Sequence, residues 1–147
     1  MSKDRIIYVL SLIASILIAA VMFASWNMSK SRVIDTQGKH ATSLRWAVEG
    51  CDVSKDYVSL KGWAYLPNLG RVKINIYAED NDGGFRKLNK TSFHVPGVNE
   101  SLGLSQYELP GFFAAKRIIG NDNFSGKFMI EAIDLQGNES YATYECK

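Results

Sequence analysis

Cysteine and histidine, which carry much of protein chemistry, are scarce in this chain of 147 residues, with two of each. Neither His40 nor His94 has a cysteine or an acidic residue at the spacing of a metal site. The sequence also lacks a nucleophile-elbow serine motif and a phosphate-binding glycine loop. It therefore predicts no catalytic residue, no metal site and no cofactor, and so a protein that is not an enzyme.

A large excess of one charge is also missing. The formal net charge is +2, and residues 1–43 hold five Lys or Arg against two Asp, which gives +3 there and leaves −1 for the rest of the chain. Nucleic-acid binding usually needs a basic stripe that displaces counterions from phosphates. A nearly neutral body offers none, so we expect no nucleic-acid partner.

One acidic stretch, Ala78–Phe85, partly matches a calcium-binding loop, since Asp80 and Asp82 would be its first and third ligands. The fifth position is Gly84 and the twelfth is Thr91, where such a loop needs an oxygen ligand and a bidentate Glu. A hairpin turn rich in Asp, Asn and Gly is the better interpretation.

Charged residues are absent from Ile6 to Trp26, a run of 21 residues. As a helix this run would be about 31 Å long, which matches a hydrocarbon core of about 30 Å. We predict a transmembrane helix over residues 6–26, preceded by a cytoplasmic tail over 1–5. The alternative is a cleaved signal peptide. A signal peptide has a shorter apolar run than this one, and cleavage after Ala24 would put Met22 at the −3 position, where a small residue is expected.

Small residues share one face of this helix at Ser11, Ser15 and Ala19. That spacing lets two helices approach closely, which would support a homodimer or docking on a larger membrane protein. Ordinary membrane-helix composition explains it equally well.

The two cysteines, Cys51 and Cys146, lie at opposite sequence ends of the region that follows. Such a pair suggests a disulfide between the first and last strands, and disulfides persist in oxidising compartments. We therefore expect an uncleaved anchor with the C-terminal domain in an oxidising compartment, which for a bacterial inner membrane is the periplasm. Two unrelated buried thiols in a cytosolic domain are the alternative.

After the helix, residues 27–43 are polar and without periodicity, which predicts a stalk that leaves the domain loosely oriented. Residues 44–147 show alternation of period two between turn signals, which predicts an all-β, immunoglobulin-like sandwich of about six to eight strands. The predicted strands are a central one at Tyr57–Leu66, a half-buried one at Arg71–Glu79, and others at Leu44–Val48, Phe85–Phe93, Lys127–Ile133 and Ser140–Cys146. A turn is predicted at 134–138, and residues 96–111 should be irregular with a short helical turn.

Three segments carry a resemblance: Val58–Asn68 (VSLKGWAYLPN), Leu109–Ala115 (LPGFFAA) and the hairpin Phe128–Tyr141. The hairpin resembles the last hairpin of many bacterial immunoglobulin-like and fibronectin-like modules. Together the segments are similar to small β-sandwich modules appended to bacterial enzymes of surface-polysaccharide synthesis. The resemblance implies a bacterial β-sandwich, although this chain has no attached enzyme and carries its own hydrophobic helix.

Aromatic residues supply the candidate binding sites. Trp46, Trp63 and Tyr65 could form a platform for a sugar ring, although at least one of them should be a core residue. Phe112 and Phe113 come at the end of the predicted irregular segment, where at least one should be exposed and available to a partner. We expect a protein partner in the cell envelope; the alternatives are a glycan-binding accessory of surface-polysaccharide synthesis or a small membrane immunity or exclusion protein.

Overall fold

The computed structural model describes residues 3–27, 32–34, 43–67, 72–118 and 123–147. The N-terminal helix α1 spans Lys3–Asn27, so residues 3–5 of the predicted tail are helical. The remaining elements are β1 (Arg45–Val53), β2 (Tyr57–Tyr65), β3 (Lys73–Asp80), β4 (Phe85–Lys87), β5 (Asn89–Phe93), α2 (Pro96–Leu102), β6 (Gly111–Arg117), β7 (Phe124–Ile133) and β8 (Glu139–Glu145).

Helix α1 is apolar around its whole circumference and long enough to cross a membrane. None of its most apolar stretch is buried against the rest of the described chain. Such a surface is stable in hydrocarbon and costly to expose to water.

The strands form two antiparallel four-stranded sheets with the orders β1-β2-β6-β5 and β4-β3-β7-β8. This is the strand order of an immunoglobulin sandwich, with one short additional strand at an edge of the second sheet. The predicted all-β sandwich after an N-terminal helix is confirmed, and β2 is central as predicted.

Alternating residues of the central strands fill the space between the sheets. The fully buried side chains at its centre include Leu60, Phe112, Ile76 and Phe128. Trp46 packs at the margin of this core, with its ring 6.3 Å from that of Tyr144 and perpendicular to it. Of the three candidate platform residues, Trp46 is therefore the core residue.

The two edges of the sandwich are closed differently. The Cys51–Cys146 disulfide joins β1 of one sheet to the residue after β8 of the other. At the opposite edge the chain passes from β4 to β5 through the buried Leu88, so the predicted strand Phe85–Phe93 is two short strands in different sheets.

The observed elements differ from the predicted ones in β3 and agree with them in the segment 96–111 and in the turn that follows β7. Strand β3 is buried on both faces, because Asn75 and Tyr77 are covered as well as the apolar residues between them. The segment 96–111 does contain a short helix, α2. The turn at 134–138 is confirmed, with Asp134 accepting hydrogen bonds from the amides of Gln136 and Asn138.

Part of the predicted stalk lies on the sandwich. Arg32 pairs with Phe85 of β4 through two backbone hydrogen bonds, of 2.9 and 2.8 Å. Two residues later, Ile34 packs on the outer surface of the same sheet. A loosely oriented stalk is therefore the wrong description of residues 32–34, while residues 28–31 and 35–42 lie outside the described residues.

Candidate functional site

One part of the outward surface of the β1-β2-β6-β5 sheet carries the aromatic side chains Trp63, Tyr65, Phe93 and Phe113, which we call the aromatic face. Strand β2 turns its even-numbered residues from 58 to 64 into the core, so Trp63 and Tyr65 point outward. Both are half-buried. The prediction that they lie together on one face is consistent with this placement.

Cross-strand register brings the phenylalanines to the same surface. Phe113 faces Lys61 of β2 and Thr91 of β5, and its side chain is 46 % exposed. Gly111 is the partner of both Trp63 and Phe93, and a Cβ at Gly111 would lie 2.7 Å from the Phe93 ring. The ring of Phe93 therefore lies over this glycine, one strand away from Trp63.

Sequence reasoning was only partly right about the Phe112 and Phe113 pair. Both residues belong to β6, not to an irregular segment, and successive residues of a strand point to opposite faces. Phe112 is a core residue, 1 % exposed, so its assignment as a binding residue is wrong. Phe93 was missed, because its half-buried position follows from the pairing of β5 with β6, which the sequence does not reveal.

Polar groups border the aromatic face. Lys61 forms an ion pair with Glu49 at 3.2 Å, where a bulge between Val48 and Gly50 shifts the register of β1. Arg45 lies opposite Tyr65. Aromatic residues surrounded by polar ones are the usual composition of a protein interface.

A pocket of about 520 Å³ adjoins the face at one end of the sandwich. Tyr65 belongs to its wall, together with Tyr107, Leu109 and Ile74 of β3. Tyr107 and Leu109 are 82 % and 50 % exposed, which extends the apolar surface from the sheet into the loop before β6.

Asn99 fixes that loop. Its side chain is 3 % exposed, and its amide group donates to the carbonyl oxygens of Ser105 and Glu108 at 3.1 and 3.0 Å. Its side-chain oxygen accepts from the amide of Val95 at 3.2 Å. Nothing in the sequence singled out Asn99, because a polar residue of a short helix usually faces solvent.

The outer surface of the other sheet is covered. Ile34 lies there on a small apolar cluster of Tyr77, Phe85, Met129 and Tyr141. Beside that cluster Glu131, 5 % exposed, accepts hydrogen bonds from the Asn75 amide at 2.5 Å and the Tyr77 hydroxyl at 2.9 Å. Burial and the bond to Glu131 raise the pKa of Tyr77. The polar side chains here therefore form hydrogen bonds with one another.

The Asp-rich stretch forms the turn between β3 and β4. One oxygen of Asp80 accepts from the amides of Asp82 and Gly84, and the other accepts from the Arg86 guanidinium at 3.0 Å. The interpretation as a hairpin turn agrees with these contacts. Within the described ranges no cluster of three or more His, Cys, Asp or Glu could hold a metal ion.

In helix α1, the hydroxyl groups of the predicted packing face bond within the helix. Ser11 donates to the carbonyl oxygen of Tyr8 at 2.8 Å, and Ser15 donates to that of Ser11 at 2.9 Å. Ser11, Ser15 and Ala19 remain exposed. A helix partner would therefore meet a small-residue surface whose hydroxyls are already satisfied.

The fold alone does not specify a function. No protein-family model, no curated protein and no solved structure matches the chain.

Proposed function

We propose that this chain is a single-pass protein of a bacterial inner membrane that presents an immunoglobulin-like domain in the periplasm and binds a protein partner there. Binding, without chemistry, is its activity. The observation that carries the proposal is the aromatic face, an open surface with Trp63 and Phe113 on a sandwich whose other outer surface is covered. Large exposed apolar patches on soluble domains mark interaction sites.

The membrane anchor is supported by helix α1, which is apolar on all sides and long enough to span. The alternative, a cleaved signal peptide, would be absent from the mature protein. We expect the mature protein to retain residues 6–26, which intact-mass measurement of the protein purified from membranes will show. The mass of a chain whose first residue follows Ala24 would contradict the anchor.

The periplasmic location is supported by the Cys51–Cys146 disulfide. A membrane-impermeant maleimide, applied to cells with and without reductant, tests it. We expect labelling only after reduction and without permeabilisation of the inner membrane. Labelling without reductant and only in lysed cells would place the domain in the cytosol.

The protein partner is tested by photo-crosslinking in intact membranes. A photoreactive phenylalanine analogue replaces Phe113 on the aromatic face, and in a matched control it replaces Leu135, which is 70 % exposed in the turn after β7. We expect one defined adduct from position 113 and none from position 135. Adducts at both positions, or at neither, would contradict the proposal.

A second variant measures the contribution of the face. Truncation of an aromatic residue central to an interface typically costs 2 kcal/mol or more, which is about a thirtyfold loss of affinity. Trp63→Ala should therefore abolish the adduct at position 113. Tyr57→Ala, which changes an aromatic residue 43 % exposed at the far end of β2, should preserve it.

Glycan binding is a second candidate, favoured by the half-exposed Trp63 and Tyr65 on one surface. Sugar rings stack on such side chains. In this case, titration with cell-surface glycans should quench tryptophan fluorescence, and Trp63→Phe should remove the response while the core residue Trp46 continues to fluoresce. An unchanged spectrum across the titration would eliminate this candidate.

A further inference from the structure

Three lysines lie at the edge of the sandwich formed by β4, β5 and the start of β3: Lys87, Lys90 and Lys73, which we call the lysine edge. They line one groove of about 750 Å³. Lys73 and Lys87 are exposed and Lys90 is half-buried. Among the described residues, the ion pairs are formed by Lys61, Arg86 and Lys127, and none of them includes a lysine of this edge.

The local surroundings favour an external anion. The Lys90 ammonium donates to the neutral hydroxyl of Ser92 at 2.6 Å. Burial lowers the pKa of Lys90, and the nearby charge of Lys87 lowers it further. A negative group beside the two ammonium groups would relieve their mutual repulsion.

The chain itself ties this edge to helix α1. The helix ends at Asn27, and Arg32, five residues later, pairs with Phe85 on the strand that carries Lys87. Five extended residues reach at most about 18 Å. Ser25, in the last turns of the helix, lines the same groove as the three lysines.

From this arrangement we propose that the lysine edge docks on the anionic phospholipid headgroups of the membrane that α1 enters, so that the domain has a fixed orientation at the surface. The inference rests on the proposed membrane anchor. It adds a lipid partner for a surface that adjoins the aromatic face at Phe113, which also lines the groove. Positive charge meets negative headgroups within the reach of the connecting chain. The opposite edge, with β1, β8 and the disulfide, then points away from the membrane.

The strength of this docking can be estimated from general electrostatics. Each lysine close to an anionic membrane surface strengthens attraction by roughly fivefold. The three together should therefore shift the ratio of docked to undocked domain by roughly a hundredfold. The attraction should decline with added salt, because the Debye length shortens from about 8 Å at physiological ionic strength to about 3 Å at 1 M.

The test uses the full chain in vesicles of phosphatidylcholine, with or without phosphatidylglycerol. A fluorophore is attached through an impermeant maleimide to Asn89→Cys, an exposed position within the lysine edge, or to Thr143→Cys on the far edge strand β8. The native cysteines are in their disulfide and do not react. Quenching by acrylamide, which is neutral, reports exposure to water.

We expect phosphatidylglycerol to reduce quenching at position 89 and to leave position 143 unchanged. High salt or the variant Lys73→Gln/Lys87→Gln/Lys90→Gln should restore quenching at position 89. The matched variant Lys55→Gln/Lys61→Gln/Lys147→Gln removes the same charge elsewhere and should behave as wild type. Equal quenching in both lipids, equal changes at both positions, or equal effects of both triple variants would overturn the inference.

Failure of the anchor is separable from failure of the docking. Alkaline carbonate releases peripheral proteins from vesicles and leaves inserted ones. If the protein stays in the vesicles in carbonate but its quenching does not depend on the lipid, the docking alone is overturned. If carbonate extracts the protein, the anchor is overturned, and so is the docking that depends on it.

Discussion

Cys51 and Cys146 join the two sheets at the edge opposite the one where Arg32 pairs with Phe85. Their Cα atoms lie 6.0 Å apart, and 95 residues separate them in the sequence. One cysteine is on β1 and the other follows β8, so the bond ties the first strand of the domain to the last. Almost the whole sandwich is enclosed in the resulting loop.

Removal of this bond should therefore destabilise the domain strongly. The chain-entropy model gives a loss of up to about 4–5 kcal/mol for a loop of this length. We expect Cys51→Ser/Cys146→Ser to lower the urea midpoint, measured by tryptophan fluorescence on the full chain in detergent. Reduced wild type should unfold at the same midpoint as the variant. If oxidised wild type unfolds at no higher urea concentration than the variant and the reduced protein, the bond adds no stability.

Glu131 should be among the most sensitive polar positions. Glu131→Ala leaves the buried Asn75 amide and Tyr77 hydroxyl without their acceptor, which should cost about 3 kcal/mol of unfolding free energy. Glu131→Gln keeps an acceptor oxygen and should cost less. Glu145→Ala, on an exposed part of β8, is the control and should change stability by less than about 0.5 kcal/mol. A Glu131→Ala variant as stable as this control would be contrary to the prediction.

Alkaline pH should weaken the same region. Burial is the largest cause of the raised pKa of Tyr77 and of Tyr141. A hydrogen bond to Glu131 raises the pKa of Tyr77 further, and a hydrogen bond to Glu139 does the same for Tyr141. A raised pKa means that the folded state holds these protons more tightly than the unfolded state. The resulting stabilisation is complete below about pH 10, the ordinary tyrosine pKa, and is lost as pH rises above it.

Urea midpoints between neutral pH and pH 11 test this dependence. The wild-type midpoint should fall at the alkaline end, and Tyr77→Phe/Tyr141→Phe should flatten that fall. Tyr107→Phe, which changes an exposed loop residue, should leave it as in wild type. A double variant with the wild-type slope would show that other groups cause the loss.

Asn99 should control the loop beside the aromatic face. Asn99→Ala removes three hydrogen bonds and leaves partly buried backbone groups unpaired, at a cost of about 2 kcal/mol. We expect faster amide hydrogen exchange in residues 103–110, with strands β3 and β7 unaffected. Glu100→Ala, at the next and exposed position of α2, is the control. Unchanged exchange in the loop would refute the role assigned to Asn99.

Local pattern explains which parts of the fold could be predicted. The uncharged run from Ile6 to Trp26 predicts a helix by length and composition alone. Alternation from Tyr57 to Leu66 predicts a central strand, because bulk on both sides of a strand requires neighbours on both sides. Both features depend on residues close in sequence.

The aromatic face needed tertiary information. A strand with apolar residues on both faces does not reveal which face meets the core, so Phe112 and Phe113 were indistinguishable until β6 was placed between β2 and β5. The same pairing brings Phe93 across to Gly111 and Trp63.

The sequence by itself determined the apolar helix, the strand-rich domain and the two cysteines available for a bond, since these follow from composition and short-range periodicity. Only the tertiary structure decided that Arg32 and Ile34 lie on the sandwich, that Glu131 is buried among hydrogen-bond donors, and that three lysines separated in sequence share one edge. Those relationships join residues distant along the chain, and the pairing of strands in space brings them together.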